Sequence, residues 1–196
     1  MVAGRTPWAA ALPDAALCLS ALYTTCHLFK DHRAAALGLS LLGLSAGVSA
    51  VPVSSLALES VREELQWAGA ALSPALVSFD FLWLSEDRLT AHVVLACAAL
   101  LAVLRDCCSQ EGLVLLSRCL ALCSLSCSLT VSLFTGSVAG ILAGIALSSP
   151  ALVAPTGPCG SPLNWLLRGS TVVGCLSTKR ALTAYLLDLK QGLRVM

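Results

Sequence analysis

From Cys119 to Leu167 the chain carries no Asp, Glu, Lys or Arg. As one helix this 49-residue run would be roughly 74 Å long at ~1.5 Å per residue. A bilayer hydrocarbon core is only ~30 Å thick, so the run must fold back at least once and supplies two helices. A second uncharged run covers Ala34 to Leu58. Helices are favoured over strands, because a lipid-embedded segment must satisfy its own backbone amides. The Leu, Ala, Ser and Gly of these runs also lack the alternation of a barrel strand.

Composition closes off the soluble alternative. Charged residues make up 12% and hydrophobic residues 57% of the chain, with a mean hydropathy of +0.85. The 23 charged side chains and single Asn cannot coat a water-soluble domain of this size. A formal net charge of +1 gives nucleic acid no electrostatic handle. The sequence therefore predicts an all-α, polytopic membrane bundle whose first partner is the lipid bilayer.

Seven apolar segments are expected, at 8–29, 34–58, 67–84, 89–104, 113–133, 136–153 and 163–178, followed by a basic tail, 179–196, on the cytosolic side. The charged steps at Lys30 to Arg33, Glu59 to Glu64, Glu86 to Arg88 and Arg105 to Glu111 separate them, and the Pro/Gly-rich stretch Pro155 to Pro162 is the clearest loop. The seventh segment contains Arg168 and runs into Lys179-Arg180, so six spans is the alternative. With Asp14 in the first segment, no cleavable signal is expected. Lys and Arg near segment ends orient such chains. With seven spans and the N-terminus outside, Lys30, Arg33, Arg88, Lys179, Arg180, Lys190 and Arg194 fall inside, against Arg5, Arg62 and Arg105 outside. Spans of 16 to 18 residues point to a thinner endomembrane such as the endoplasmic reticulum.

Small residues mark the packing faces. Gly136, Gly140 and Gly144 recur every four residues, and Gly43 and Gly47 repeat the spacing on the second segment. Such faces let helices approach closely, within the chain, against a second copy or against another membrane protein. Cys119, Cys123 and Cys127 share this spacing. Three thiols on one straight helix seldom converge on a metal, so they read as small packing residues and no metal or cofactor is expected. Cys107, Cys108 and Cys159 lie near water. A disulfide to Cys159 suits one orientation, and palmitoylation of Cys107 and Cys108 suits the other.

Ionisable groups at membrane depth are candidate functional groups: Asp80, His92, Arg118 and Arg168, with Asp14 close to an end. Asp80 and His92 flank one short turn. They read either as a proton relay or as a structural hydrogen-bonded pair. Arg118 and Arg168 read as snorkelling side chains. No phosphate loop, zincin motif or nucleophile elbow is present, and no enzyme activity is expected. A shift of 98 residues aligns Trp67 with Trp165 and Pro52 with Pro150, a weak hint of two three-span repeats about a linking span. In its Leu/Ala/Ser/Cys composition and short loops, the chain resembles the small vertebrate multi-pass transmembrane proteins. That resemblance implies neither an activity nor a site residue. The sequence reading is a non-enzymatic membrane subunit or adaptor working through helix contacts, with a small transporter or channel using Asp80, His92, Arg118 and Arg168 as the alternative.

Overall fold

The computed structural model describes residues 7–51, 56–105, 107–153 and 162–195. Seven helices follow one another, with no strand among the described residues: α1 Pro7–Leu28, α2 Arg33–Ala50, α3 Leu56–Leu84, α4 Arg88–Leu104, α5 Gln110–Phe134, α6 Val138–Leu152 and α7 Pro162–Val195.

Local chemistry sets the ends. Asp87 caps α4 by accepting the Thr90 N–H, Ser109 caps α5 through Gly112, and Ser137 caps α6 through Gly140. At the end of α5, Gly136 N–H donates to Leu133 O and Ser137 N–H to Ser132 O, with Gly136 at φ +64°. That paired closure needs a left-handed residue, which glycine adopts without cost. Gly136 is therefore the stop of α5 and not the first member of the α6 glycine face, and no atom lies within 4 Å of where its Cβ would be. At the equivalent place after α3, Glu86 takes φ 65° without that freedom.

Two helices overrun their apolar segments. α3 begins at Leu56, so Leu56 to Leu58 belong to it and not to α2, and it continues through Glu59, Arg62, Glu63 and Glu64. Val51, ahead of Pro52, is already extended at φ −90° and ψ 128°, the conformation a following proline imposes. α7 continues unbroken through Lys179 and Arg180 to Val195, so the expected tail is helical over most of its length. Charge ends a membrane span, but it does not end a helix whose side chains reach water.

Side-chain contacts fix the directions. A Cβ on Gly43 would meet Ala21 at 3.1 Å, and one on Gly47 would meet Cys18 at 3.2 Å, so α1 and α2 run antiparallel. Gly38 faces Ser73, while Gly69 faces Ser45 at 3.0 Å, which makes α2 and α3 antiparallel. Gly140 faces Ser132 and Gly144 faces Ser128, so α5 and α6 do the same. Ser149 bonds Ser170 at 3.2 Å while Gly174 meets Ala146, setting α6 against α7. α1 then packs on α7 and α3 on α5, closing a ring, with α4 against the outside of α3 and α5.

The two triplets α1–α3 and α5–α7 thus repeat one arrangement, and α4 links them. Their equivalence follows helix contacts: Gly174 takes in α7 the role of Gly69 in α3, each lying against the preceding helix. The 98-residue shift would place Leu167 there instead, so the tryptophan match does not superpose these helix contacts.

The core is built of Leu, Ala, Val and Phe with buried hydroxyls among them, and large apolar side chains also cover the outside. Ser73, Ser78, Ser124, Ser128, Ser132, Ser148, Thr24 and Thr178 are buried. Leu19, Leu37, Leu89, Val103, Leu133 and Phe134 are among the exposed residues. In α4 only the stripe Ala91, Val94, Ala98 and Leu101 is buried, leaving the rest of an almost wholly apolar helix outward.

Candidate functional site

The chemistry-bearing residues are spread over three ties between helices. The first joins α1 and α7. Asp14 and Arg168 lie about two turns into their helices, and Arg168 Nη1 pairs with Asp14 Oδ1. Further along, Lys179 Nζ donates to Tyr23 Oη at 3.0 Å and sits 4.3 Å from that ring's centroid. Both contacts advance in the same sense along both helices, so α1 and α7 are parallel. Asp14 is 8% exposed. Arg168, expected to snorkel, instead finds a carboxylate partner across the seam.

The second tie joins α3 to the start of α2. Asp80 Oδ2 accepts the Ala35 N–H at 2.6 Å. The first amides of a helix have no partner of their own, and the residue that normally supplies one, His32, makes no capping bond. Asp80 therefore caps α2 from a different helix, and its negative charge faces the positive end of the α2 dipole. Asp80 and His92 are not brought together as a pair. His92 Nδ1 meets Arg88 O on its own helix, and its ring lies edge-on to Phe79 and Trp83, with centroids 6.4 and 5.8 Å away. Replacing Asp80 with Leu strands a buried amide and is expected to cost about 1–3 kcal/mol. Asp80→Asn, which keeps an acceptor, should lose less. Thermal unfolding of the purified variants reads the difference.

The third tie lies at the opposite end of α3. Arg105 Nη1 donates to Glu64 Oε2 at 2.6 Å, and its guanidinium lies 4.7 Å from the Trp67 ring centroid. This pair is solvent-accessible and contributes little by itself. Arg118 is half-buried on α5 and makes no ion pair among the described residues.

His32 sits in the turn between α1 and α2, 4% exposed, with Nε2 lacking a partner among the described residues. Burial pushes its pKa below the ordinary 6.5, against a smaller opposing pull from Asp31. The folded state thus prefers neutral His32, and the unfolded chain binds the proton more readily. Stability from this group is complete above pH 6.5 and falls as pH drops below it, by at most about 1.4 kcal/mol per pH unit. A melting-temperature profile from pH 7.5 to 5 should decline less in His32→Asn than in the native chain.

Of the cysteines expected near water, Cys107 is exposed, Cys108 is half-buried and both are unbridged. Cys159 lies outside the described residues. Cys119 and Cys123 are exposed along α5, and Cys127 is half-buried. The glycine faces close within the chain: Gly43 and Gly47 on α1, and Gly140 and Gly144 on α5.

Three described stretches, Arg33–Ala50, Glu59–Leu84 and Glu111–Phe134, are long and apolar enough to cross a membrane, while Arg88–Leu104 and Val138–Leu152 are apolar but shorter. Apolar helices around a small-residue, hydroxyl-bearing interior are the mark of a helical transmembrane protein. The sequence is 28% identical over 108 residues to Transmembrane protein 276 of Rattus norvegicus, a match covering 55% of this chain and 55% of that protein. The chain thus spans about half the length of the curated relative it matches. No family model matches the chain, and no solved structure does. The relative's name and the apolar helices together support a membrane protein.

Proposed function

We propose that the chain is a seven-span integral membrane bundle that acts as a non-enzymatic subunit or adaptor through helix contacts. The observation that carries this reading is the fate of the polar groups. Asp80 is committed to Ala35, Arg168 to Asp14 and His92 to its own helix backbone. These groups are used to join or finish helices, and they do not converge on one path.

The alternation of helix direction supports seven crossings. It gathers Lys30, Arg33, Arg88, Lys179 and Arg180, with Asp31, Glu86 and Asp87, at one end, and Arg62 and Arg105, with Glu59, Glu63, Glu64 and Glu111, at the other. The basic end is the cytosolic one, which puts the C-terminal end of α7 inside. α6, with 15 residues, is about 23 Å long and suits a thin endomembrane bilayer. The transporter reading retains Arg118, which makes no ion pair among the described residues, as its cation.

Reconstitution separates the two. The purified chain in liposomes should carry no ion or small-solute flux above protein-free vesicles. In cells it should migrate, in mild detergent, in a complex larger than itself. A flux that Arg118→Gln or Asp80→Asn abolishes would overturn the adaptor reading. Tags on the two termini, probed in selectively permeabilised cells, should lie on opposite sides of the membrane.

A further inference from the structure

At the basic end of the bundle, the turn between α3 and α4 opens into a cavity of about 570 Å³. Leu82, Ser85, Asp87 and Thr90 form one side, α5 between Ser126 and Thr135 forms the other, and Tyr185 of α7 completes it.

Six hydroxyls line it, and those of Ser126 and Tyr185 remain as donors, but the other four already donate within the chain. The Ser85 hydroxyl donates to Leu82 O, Thr130 to Ser126 O and Thr135 to Val131 O. Thr90 Oγ1 donates to Asp87 Oδ2 at 2.7 Å. Four hydroxyl protons are thus already committed, and these oxygens have lone pairs left to offer. The exposed Asp87 carboxylate adds a negative charge. Such a lining calls for donors, and a primary ammonium carries three donors and no acceptor. A quaternary ammonium carries none.

The other half of the cavity is apolar: Leu82, Cys127, Val131 and Phe134, with Phe134 88% exposed. A small soluble amine would leave that half empty, whereas a lipid would cover it. Arg88, one residue from the carboxylate, is held over the Trp83 ring, 5.3 Å from its centroid, and does not line the cavity.

We propose that this cavity holds an ethanolamine-type phospholipid of the surrounding leaflet, its primary ammonium on Asp87 and its chain against Val131 and Phe134. This rests on the membrane reading above. Only a chain embedded beside a leaflet presents such a groove to lipid.

The full chain, purified in detergent, is equilibrated with equal amounts of phosphatidylethanolamine, phosphatidylcholine and phosphatidylglycerol, and the retained lipid is read by native mass spectrometry. The ethanolamine adduct should exceed the choline adduct about tenfold, the scale of one charge-assisted hydrogen bond. Asp87→Asn keeps a good cap for α4 and should melt near the native temperature without lipid, yet bring ethanolamine retention down to the choline level. Equal retention of the three lipids, or an undiminished ethanolamine adduct in Asp87→Asn, overturns the proposal. Displacement by millimolar free ethanolamine would assign the cavity to a soluble amine and overturn the lipid. Alkaline carbonate extraction tests the membrane reading separately: a chain that stays in the pellet but shows no lipid preference removes this site alone.

Discussion

Arg168→Leu is expected to lower the stability of the bundle by about 3 kcal/mol. The change removes one partner of the pair that joins α1 to α7 and leaves the Asp14 carboxylate buried without its cation. Loss of one member of a buried pair typically costs about 3–5 kcal/mol, since the survivor has no water to return to. The lower figure applies because a third of the Arg168 side chain is exposed. For a chain of this size, that corresponds to a melting point lower by roughly 6–12 °C. Asp14→Leu alone should do comparable damage by stranding the guanidinium. The double change Asp14→Leu with Arg168→Leu should recover much of the loss, because an apolar pair carries no desolvation cost. The charge exchange Asp14→Arg with Arg168→Asp should recover part of it. A double-mutant cycle on melting temperatures measures the coupling. Additive effects in that cycle would mean that the two side chains do not act as a pair.

The same pair shows how far the sequence could be read. Both residues are legible as ionisable groups within apolar segments, Asp14 close to an end and Arg168 as a snorkelling side chain, but neither reading supplies a partner. The missing signal was their matching depth in helices that start at the same end, which becomes usable only once α1 and α7 are known to be parallel neighbours. Asp80 posed the harder problem. His92 is the ionisable residue that a short hairpin would set at similar depth, yet the group Asp80 serves is a backbone amide 45 residues away. No side-chain pattern announces a backbone donor. The glycines split along physical lines: Gly140 and Gly144 were legible because four-residue spacing puts them on one face, whereas Gly136 fits the spacing and obeys turn chemistry instead. Helix number and order were readable from charge-free runs. The lengths of α3 and α7 were not, because hydropathy marks where lipid would end and backbone hydrogen bonding continues beyond it.

Gly144→Leu tests the packing of the second triplet. A Cβ at Gly144 would meet the Ser128 hydroxyl of α5 at 2.5 Å, and one at Gly140 would overlap the Ser132 hydroxyl more closely still. Ser128 and Ser132 are buried to 2% and 1% exposure, so neither can swing aside into open space. The added side chain must push α6 away from α5, and α7 packs against the other side of α6. Overpacking of a close-fitting core costs typically 1–3 kcal/mol where the core can relax. Here two faces oppose the movement, so about 3 kcal/mol or more is expected, with loss of the folded, monodisperse species in detergent. Gly144→Ala probes the same contact with one carbon and should cost less, and Ser128→Gly in the Gly144→Ala background should relieve the crowding. Gly136→Leu should be harmful for a different reason, since it has open space but needs a left-handed backbone. Ser128→Gly should leave it unrescued. Size-exclusion profiles and melting curves of these variants separate crowding from backbone strain. If Gly144→Leu ran as a monodisperse species of native melting temperature, the close approach of α5 and α6 at Ser128 would be wrong.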